Sequence, residues 1–360
     1  MDDVPYLDRA IRLAEKGWGQ VHPNPLVGAV AVSDGEVIGE GWHGAFGGPH
    51  AEVVALRMAG EKARGATLYV SLEPCAHTGK TPPCTDAILA AGVGRVVFGA
   101  SDTTVHARGG ASHLQANGVA VVGPVATERV RRQNRAFFHV HETATTYVAL
   151  KLAISLDARI SRDRDAPTPL TGAEAMAEVH HLRAGFDAIM VGRGTAAADD
   201  PLLTARGTVR PRVPPARIIL DTHATVRRDL RMFATADVAP VWIIVSEDAP
   251  AERVAGLEGA GARVLRVPAT VDGVDVRIAL DRLREHGVQT ILCEGGGLVA
   301  ASLLVADLVQ RLYLFIAPAI LGAGAVPAFP GDGASVRRLR TVEARPMGCD
   351  ALLVLDRNGD

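Results

Sequence analysis

Short apolar runs alternate with helix-patterned segments along almost the whole chain, and no other feature limits its architecture as strongly. Residues 26–32 (LVGAVAV), 66–74 (ATLYVSLEP), 95–100 (RVVFGA) and 119–123 (VAVVG) read as strands, the first followed by a turn at Asp34-Gly35. Between them, 51–63 (AEVVALRMAGEKA) and 85–93 (TDAILAAGV) carry helical spacing and stop near Gly65 and Gly92. A second series begins near residue 145. Its strands are 146–155, 187–192, 216–221, 241–245, 290–297, 311–321 and 351–356, with helices at 174–184 and 276–287. Strands separated by helices of this length imply crossover connections and largely parallel sheets, the mark of an α/β protein. The basic helical segment 127–141 (TERVRRQNRAFFHVH) is expected to join the two series, with its arginines on a solvated face. The chain has 360 residues, which fits two domains at roughly 150 residues each. Their boundaries are placed at 1–144 and 145–360.

Composition removes several classes of function. Hydrophobic residues make up 48% of the chain, enough for two cores. Lys and Arg number 38 against 40 Asp and Glu, a formal net charge of −2. A nonspecific nucleic-acid binder needs a clear basic excess, so no nucleic-acid partner is expected. No run of about 18 apolar residues occurs, and no membrane span is expected. The start of the chain, MDDVPYLDRAIRLAEKGWG, is acidic and amphipathic, unlike a signal peptide. Four cysteines do not make a disulfide framework. A cytoplasmic location is expected, where paired cysteines more often bind metal or do chemistry.

Two of those cysteines stand downstream of a His-Ala-Glu. His50, Cys75 and Cys84 form a candidate zinc set, because imidazole and two thiolates suit zinc better than magnesium or calcium. A catalytic zinc keeps three protein ligands and one open position, and it lowers the pKa of a bound water toward about 7. Glu52 is not needed as a ligand. Two residues from His50 at a helix start, it is placed to move that proton to a leaving amine. Cys84 precedes a helix whose positive end favours a thiolate. Taken singly, a His-x-Glu or a buried cysteine means little. Together they match the signature of zinc-dependent nucleobase deaminases, His-x-Glu followed by Pro-Cys-x-x-Cys, except that here the cysteines lie nine apart. A structural zinc is the alternative, but such a site has no use for Glu52.

The second domain speaks less clearly on its own. Residues 293–304 (CEGGGLVAASLL) are a strand end, three glycines and a helix, and helix N-terminal amides suit a phosphate. Packing alone is the lesser alternative for the glycines. There is no GxGxxG fingerprint, so a standard dinucleotide fold is not indicated. Residues 191–206 (VGRGTAAADDPLLTAR) form another strand-to-loop segment, at the sheet edge where ligands bind in α/β folds.

The stretches HPNPLVGAVAV, GEGWHGAFGGPHAEVVALRMAG and LEPCAHTGKTPPCTDAILAAGV closely resemble the deaminase half of the bifunctional riboflavin-biosynthesis deaminase/reductase family. KLAISLDARI, HHLRAGFDAIMVGRGTAAADDPLLTAR, RIILD, CEGGGLVAASLL and LYLFIAPAILG resemble its reductase half. The resemblance implies a cytidine-deaminase-like α/β/α domain followed by a dihydrofolate-reductase-like α/β domain. It implies zinc on His50, Cys75 and Cys84, Glu52 as proton shuttle, and Asn24, His43, Lys80 and Asp102 around a phosphorylated pyrimidine. In the second half it implies NADPH against Ala153, Thr195, Asp199, Thr222 and the turn Gly296, Gly297, Leu298. Lys151, Arg183, Leu203, Arg206 and Glu294 would then touch the substrate, three cations suiting a sugar phosphate. A homo-oligomer is expected.

The chain also departs from the family pattern. Residues 101–111 (SDTTVHARGGA) keep Asp102 but lack the usual Asn-Pro pair. Pro167 and Pro169 of 167–172 (PTPLTG) stand where a Ser and a Trp are expected, Met176 where an arginine is common, and Ala158 where a glycine is usual. Two other readings stay open on the sequence: a paralogue acting on a related pyrimidine, or a monofunctional deaminase whose second domain only binds or assembles.

Overall fold

The computed structural model describes residues 2–104, 108–330 and 338–358. It divides into two compact units, residues 1–144 and 145–360.

In the first unit the continuous apolar run 28–33 makes strand β1 (Gly28–Ser33), whose residues are buried almost throughout. Helix α1 (Val4–Ala14) precedes it. The Asp34-Gly35 turn returns the chain as β2 (Glu36–Trp42). Helix α2 (Ala51–Ala59), β3 (Thr67–Leu72), α3 (Cys84–Ala90), β4 (Arg95–Ala100), α4 (Gly110–Ala116) and β5 (Ala120–Val122) follow. The sheet order is β2-β1-β3-β4-β5. β3, β4 and β5 are parallel, as the crossovers require. β1 is antiparallel to both its neighbours, so this sheet is mixed rather than largely parallel. The cause is local: a tight turn can join only antiparallel strands. A Cβ on Gly41 of β2 would lie 2.3 Å from the carbonyl oxygen of Ala51. Only glycine lets the start of α2 lie that close to the sheet.

The segment expected to join the domains belongs wholly to this unit. It breaks at Asn134 into α5 (Thr127–Gln133) and α6 (Arg135–Thr143). The buried Asn134 side chain accepts from the Leu26 amide at 2.7 Å and donates to the Leu26 carbonyl at 3.0 Å. Val130 and Phe138 enter the same core as Leu72 and Val97.

The second unit is built on a nine-stranded sheet. In chain order its elements begin β6 (Tyr147–Ile154), β7 (Arg159–Ser161), α7 (Ala173–Arg183), β8 (Ala188–Gly192), α8 (Arg193–Asp199), β9 (Ala216–Leu220) and β10 (Val241–Ser246). Then come α9 (Ala251–Gly259), β11 (Arg263–Val267), the short pair β12 (Ala269–Thr270) and β13 (Gly273–Val274), and α10 (Val276–Glu285). The last are β14 (Thr290–Gly295), α11 (Gly297–Val305), β15 (Arg311–Ile316), β16 (Val326–Pro327), β17 (Leu339–Met347) and β18 (Asp350–Arg357). The order is β11-β10-β9-β8-β14-β6-β15-β18-β17, parallel from β11 to β15 and antiparallel through the last hairpin. Residues 193–199, expected as loop, are helical. The central strands read as near-continuous Val, Ile and Leu because both their faces are buried.

Candidate functional site

In the first unit the site lies where β3 ends and two helices begin. His50 is the residue before α2, Glu52 lies in its first turn, Cys75 follows β3, and Cys84 opens α3. The His50 and two cysteine donor atoms lie within 4.8 Å of one another. His50 Nδ1 is 3.1 Å from Cys84 Sγ and 3.6 Å from Cys75 Sγ. The backbone N–H of Cys84 donates to Cys75 Sγ at 3.4 Å. The Cys84 thiol, hydrogen-bonded to Cys75, drives the Cys75 thiol well below its usual range. Glu52 is 3% exposed, and burial pushes its carboxyl up to about 6. Its Oε2 is buried with no partner among the described residues. One imidazole, two sulfurs and a buried carboxylate with one unpartnered oxygen beside them fit a catalytic zinc with one open position.

The surrounding residues are held by one another. Asn24 Nδ2 is 3.1 Å from His43 Nε2, and His43 Nδ1 is 3.1 Å from the Pro49 carbonyl. His43 packs edge-on against His50 with ring centroids 5.2 Å apart. Lys80 lies over the Phe46 ring, 4.0 Å from its centroid. Asp102 Oδ1 accepts from the Thr104 amide and hydroxyl at 2.8 and 2.7 Å, and burial raises its pKa. Residues 105–107 of the departing stretch lie outside the described residues.

Three further residues belong to this site. Thr81 Oγ1 is 3.4 Å from His50 Nε2 and steadies the ring through the nitrogen that faces away from the sulfurs. Phe46 supports Lys80. Glu73 accepts from the Asp102, Gly109 and Ala111 amides at 3.3, 3.2 and 3.0 Å, anchoring that loop beside Pro74-Cys75. Only the position of Glu73 next to Pro-Cys could have signalled it.

In the second unit, sheet order gathers residues that are distant in sequence. Ala153 (β6), Thr195 and Asp199 (α8, after β8), Thr222 (after β9) and 296–298 (after β14) follow the strand run β9-β8-β14-β6. The strands are parallel, so these positions share the carboxyl edge where such sheets bind ligands. No side chain caps α11, leaving its first-turn amides for an anion. Gly296 has φ 76°, and a Cβ there would come within 3.0 Å of Thr195 Oγ1. Leu298 is 72% exposed at the same turn. Thr222 Oγ1 accepts from the Val274 amide at 3.2 Å. An open, uncapped turn with the Thr195 hydroxyl beside it fits a phosphate of NADPH.

Beside it, Cys293 pairs with Leu150, so Glu294 and Lys151 follow on adjacent strands. Glu294 Oε2 is 4.0 Å from Lys151 Nζ and 2.9 Å from an Arg183 guanidinium nitrogen, and Arg183 Nε also donates to Oε1. The side chains of Arg183 and Glu294 are 9% and 7% exposed. Burial acts to raise the Glu294 carboxyl, but the charge and hydrogen bonds of Arg183, with the charges of Lys151 and His180, together lower it. Burial lowers Lys151. Arg183 also donates to the Thr204 carbonyl at 3.0 Å. Arg183 is therefore already paired, and Lys151 shares the same carboxylate, while Arg206, the third of the expected cations, is exposed. Leu203 is buried in the left-handed region at φ 48°. His180 Nδ1, 3.1 Å from the Thr204 carbonyl, holds the same loop.

A deaminase-type zinc centre and a separate α/β nucleotide edge define a deaminase joined to a reductase. Residues 1–100 match the cytidine and deoxycytidylate deaminase zinc-binding region, and 146–353 match the RibD C-terminal domain. The riboflavin biosynthesis protein RibD of Escherichia coli K12 is 37% identical over 367 residues, covering 99% of both chains. The solved Acinetobacter baumannii RibD superposes with a TM-score of 0.85 at 32% identity, covering 98% of each chain. A Thermotoga maritima diaminohydroxyphosphoribosylaminopyrimidine deaminase/5-amino-6-(5-phosphoribosylamino)uracil reductase gives 0.82 at 33% identity, again covering 98% of each. The chain belongs to the RibD family of bifunctional riboflavin-biosynthesis deaminase/reductases. Its two folds are the cytidine-deaminase-like and dihydrofolate-reductase-like ones, and its cofactors are zinc and NADPH. Among the described residues, no helix is long and apolar enough to cross a membrane.

Proposed function

We propose that residues 1–144 hydrolytically deaminate 2,5-diamino-6-ribosylamino-4(3H)-pyrimidinone 5′-phosphate and that residues 145–360 reduce the ribosyl chain of the product to ribityl. The observation that carries this reading is the orphaned, buried Glu52 oxygen beside the His50, Cys75 and Cys84 donors. Those three residues would hold zinc, which supplies a Lewis acid for hydrolysis when bound. Glu52 takes a proton from the attacking water and returns it to the departing amine, so that ammonia leaves and a carbonyl remains. Asn24 contacts the pyrimidine, while Lys80, set on Phe46, meets the phosphate, and Asp102 lines the same pocket.

In the second half NADPH supplies the hydride. Ala153, Thr195, Asp199, Thr222 and 296–298 hold the cofactor. Lys151 and Arg206 bind the sugar phosphate, Glu294 orients Lys151, and Leu203 shapes the wall. None of the four cysteines is in a disulfide, which supports a reducing cytoplasm. Assembly of identical chains is part of this reading, and sedimentation velocity tests it.

Replacing Glu52 by Gln removes the proton carrier and keeps the metal donors. Ammonia release should fall by roughly 10²–10⁴-fold or more, with zinc content and reduction of the uracil intermediate unchanged. Normal ammonia release from the Glu52→Gln protein would remove Glu52 from its role.

A further inference from the structure

Asn24 sits between Pro23 and Pro25, and its amide donates to the Val21 carbonyl at 2.9 Å, so its backbone is fixed. Its carboxamide can point in two ways, oxygen or nitrogen outward, and the two ends have nearly the same shape. The orientation is decided one residue further in. The Pro49 carbonyl, 3.1 Å from His43 Nδ1, can only accept, so Nδ1 carries a proton. The ring is 3% exposed. No carboxylate is hydrogen-bonded to it among the described residues. A neutral ring protonated at Nδ1 has a bare lone pair at Nε2. That lone pair faces the Asn24 amide at 3.1 Å and can be satisfied only by an N–H. Turning the amide over would set two acceptors against each other.

We infer that His43 is a positioning residue, not a substrate ligand: through the chain Pro49 carbonyl, His43, Asn24 it makes Asn24 present Oδ1 outward, as an acceptor for a ring N–H or amino group of the pyrimidine. No described residue donates to that oxygen. The inference rests on the proposed role of Asn24 as a pyrimidine contact. A site with a fixed acceptor favours heterocycles that offer a donor at that edge and rejects those offering a carbonyl or bare ring nitrogen there. Pro49 directly precedes His50, so the element that holds the metal donor also sets the polarity of the recognition group.

A double-mutant cycle on the full chain tests this, with zinc content and reduction of the uracil intermediate as controls of folding. His43→Phe keeps a ring and removes both nitrogens. It should raise KM for deamination about tenfold with kcat little changed, while Asn24→Leu should raise KM more. In the Asn24→Leu background His43→Phe should have no further effect, because the group it orients is gone. An undiminished His43→Phe effect in that background, or no KM change on its own, overturns the inference. If His43→Phe loses zinc, His43→Gln decides. Its carboxamide can donate to the Pro49 carbonyl and accept from Asn24 Nδ2, so it should stay within about tenfold of the parent KM, whereas values as poor as Asn24→Leu overturn the inference. A parent enzyme that fails to deaminate the diaminopyrimidine contradicts the proposed function instead, so the two failures are distinct.

Discussion

Glu294 holds together two cations that lie on different elements, Arg183 at the end of α7 and Lys151 on β6. The sequence shows three basic residues and an acid but not which pair is closed, because the closure depends on β14 lying next to β6. Leaving Arg183 buried without its carboxylate is costly. Glu294→Ala should lower the unfolding free energy of the second unit by about 3–5 kcal/mol, read from urea denaturation, and should raise KM for the reductase substrate. A loss within experimental error would mean that Arg183 reaches another anion. The zinc donors, by contrast, were legible residue by residue. His50 and Glu52 are neighbours, and each cysteine stands at a strand end or helix start, so local sequence placed them. Thr81 and Phe46 were not, since a polar or aromatic residue in a loop carries no signal until the loop folds back.

At the level of elements, buried strands such as 95–100 and 187–192 announce themselves by continuous apolar residues. The half-exposed edge strands β2, β11 and β17 do not, because their outward residues are polar or charged. The departures from the family pattern also act here. Ala158, standing where a glycine is usual, has φ 57° in the turn from β6 to β7, a conformation that strains a Cβ. Ala158→Gly should stabilise the protein by about 0.5–1 kcal/mol, the relief of that strain less the added freedom of the unfolded chain. Calorimetry checks the sign, and a fall in Tm would contradict it. Helix α7 starts with its Gly172 amide donating to the buried Asp350 carboxylate at 2.7 Å, a cap delivered from the β17–β18 hairpin. Arg345 of that hairpin pairs with Glu178 of α7 at 3.3 Å. Asp350→Ala should cost about 0.5–2 kcal/mol and weaken reductase KM, because α7 carries Arg183 at its far end. A variant with unchanged stability would show that the cap contributes nothing.

For the whole molecule, the two-series alternation gave an α/β protein in two parts, and each part contains its own core and its own candidate site. Where alternation misled was strand direction: it implied largely parallel sheets, but the mixed sheet of the first unit follows from one tight turn, whose consequence for β1 is visible only once β3 pairs on its other side. Because the residues proposed for each site lie within one unit, the activities should fail separately. Chelation of zinc should abolish ammonia release and leave NADPH oxidation with the uracil intermediate intact. Loss of both would show that the reductase unit needs the metal-bound one.

The most direct test follows both products in one reaction on the diaminopyrimidine phosphate. Without NADPH the enzyme should release ammonia and accumulate the uracil compound, and added NADPH should then be oxidised one-for-one with the ammonia already formed. NADPH oxidation that precedes or proceeds without ammonia, or ammonia release never followed by NADPH oxidation, would contradict the account.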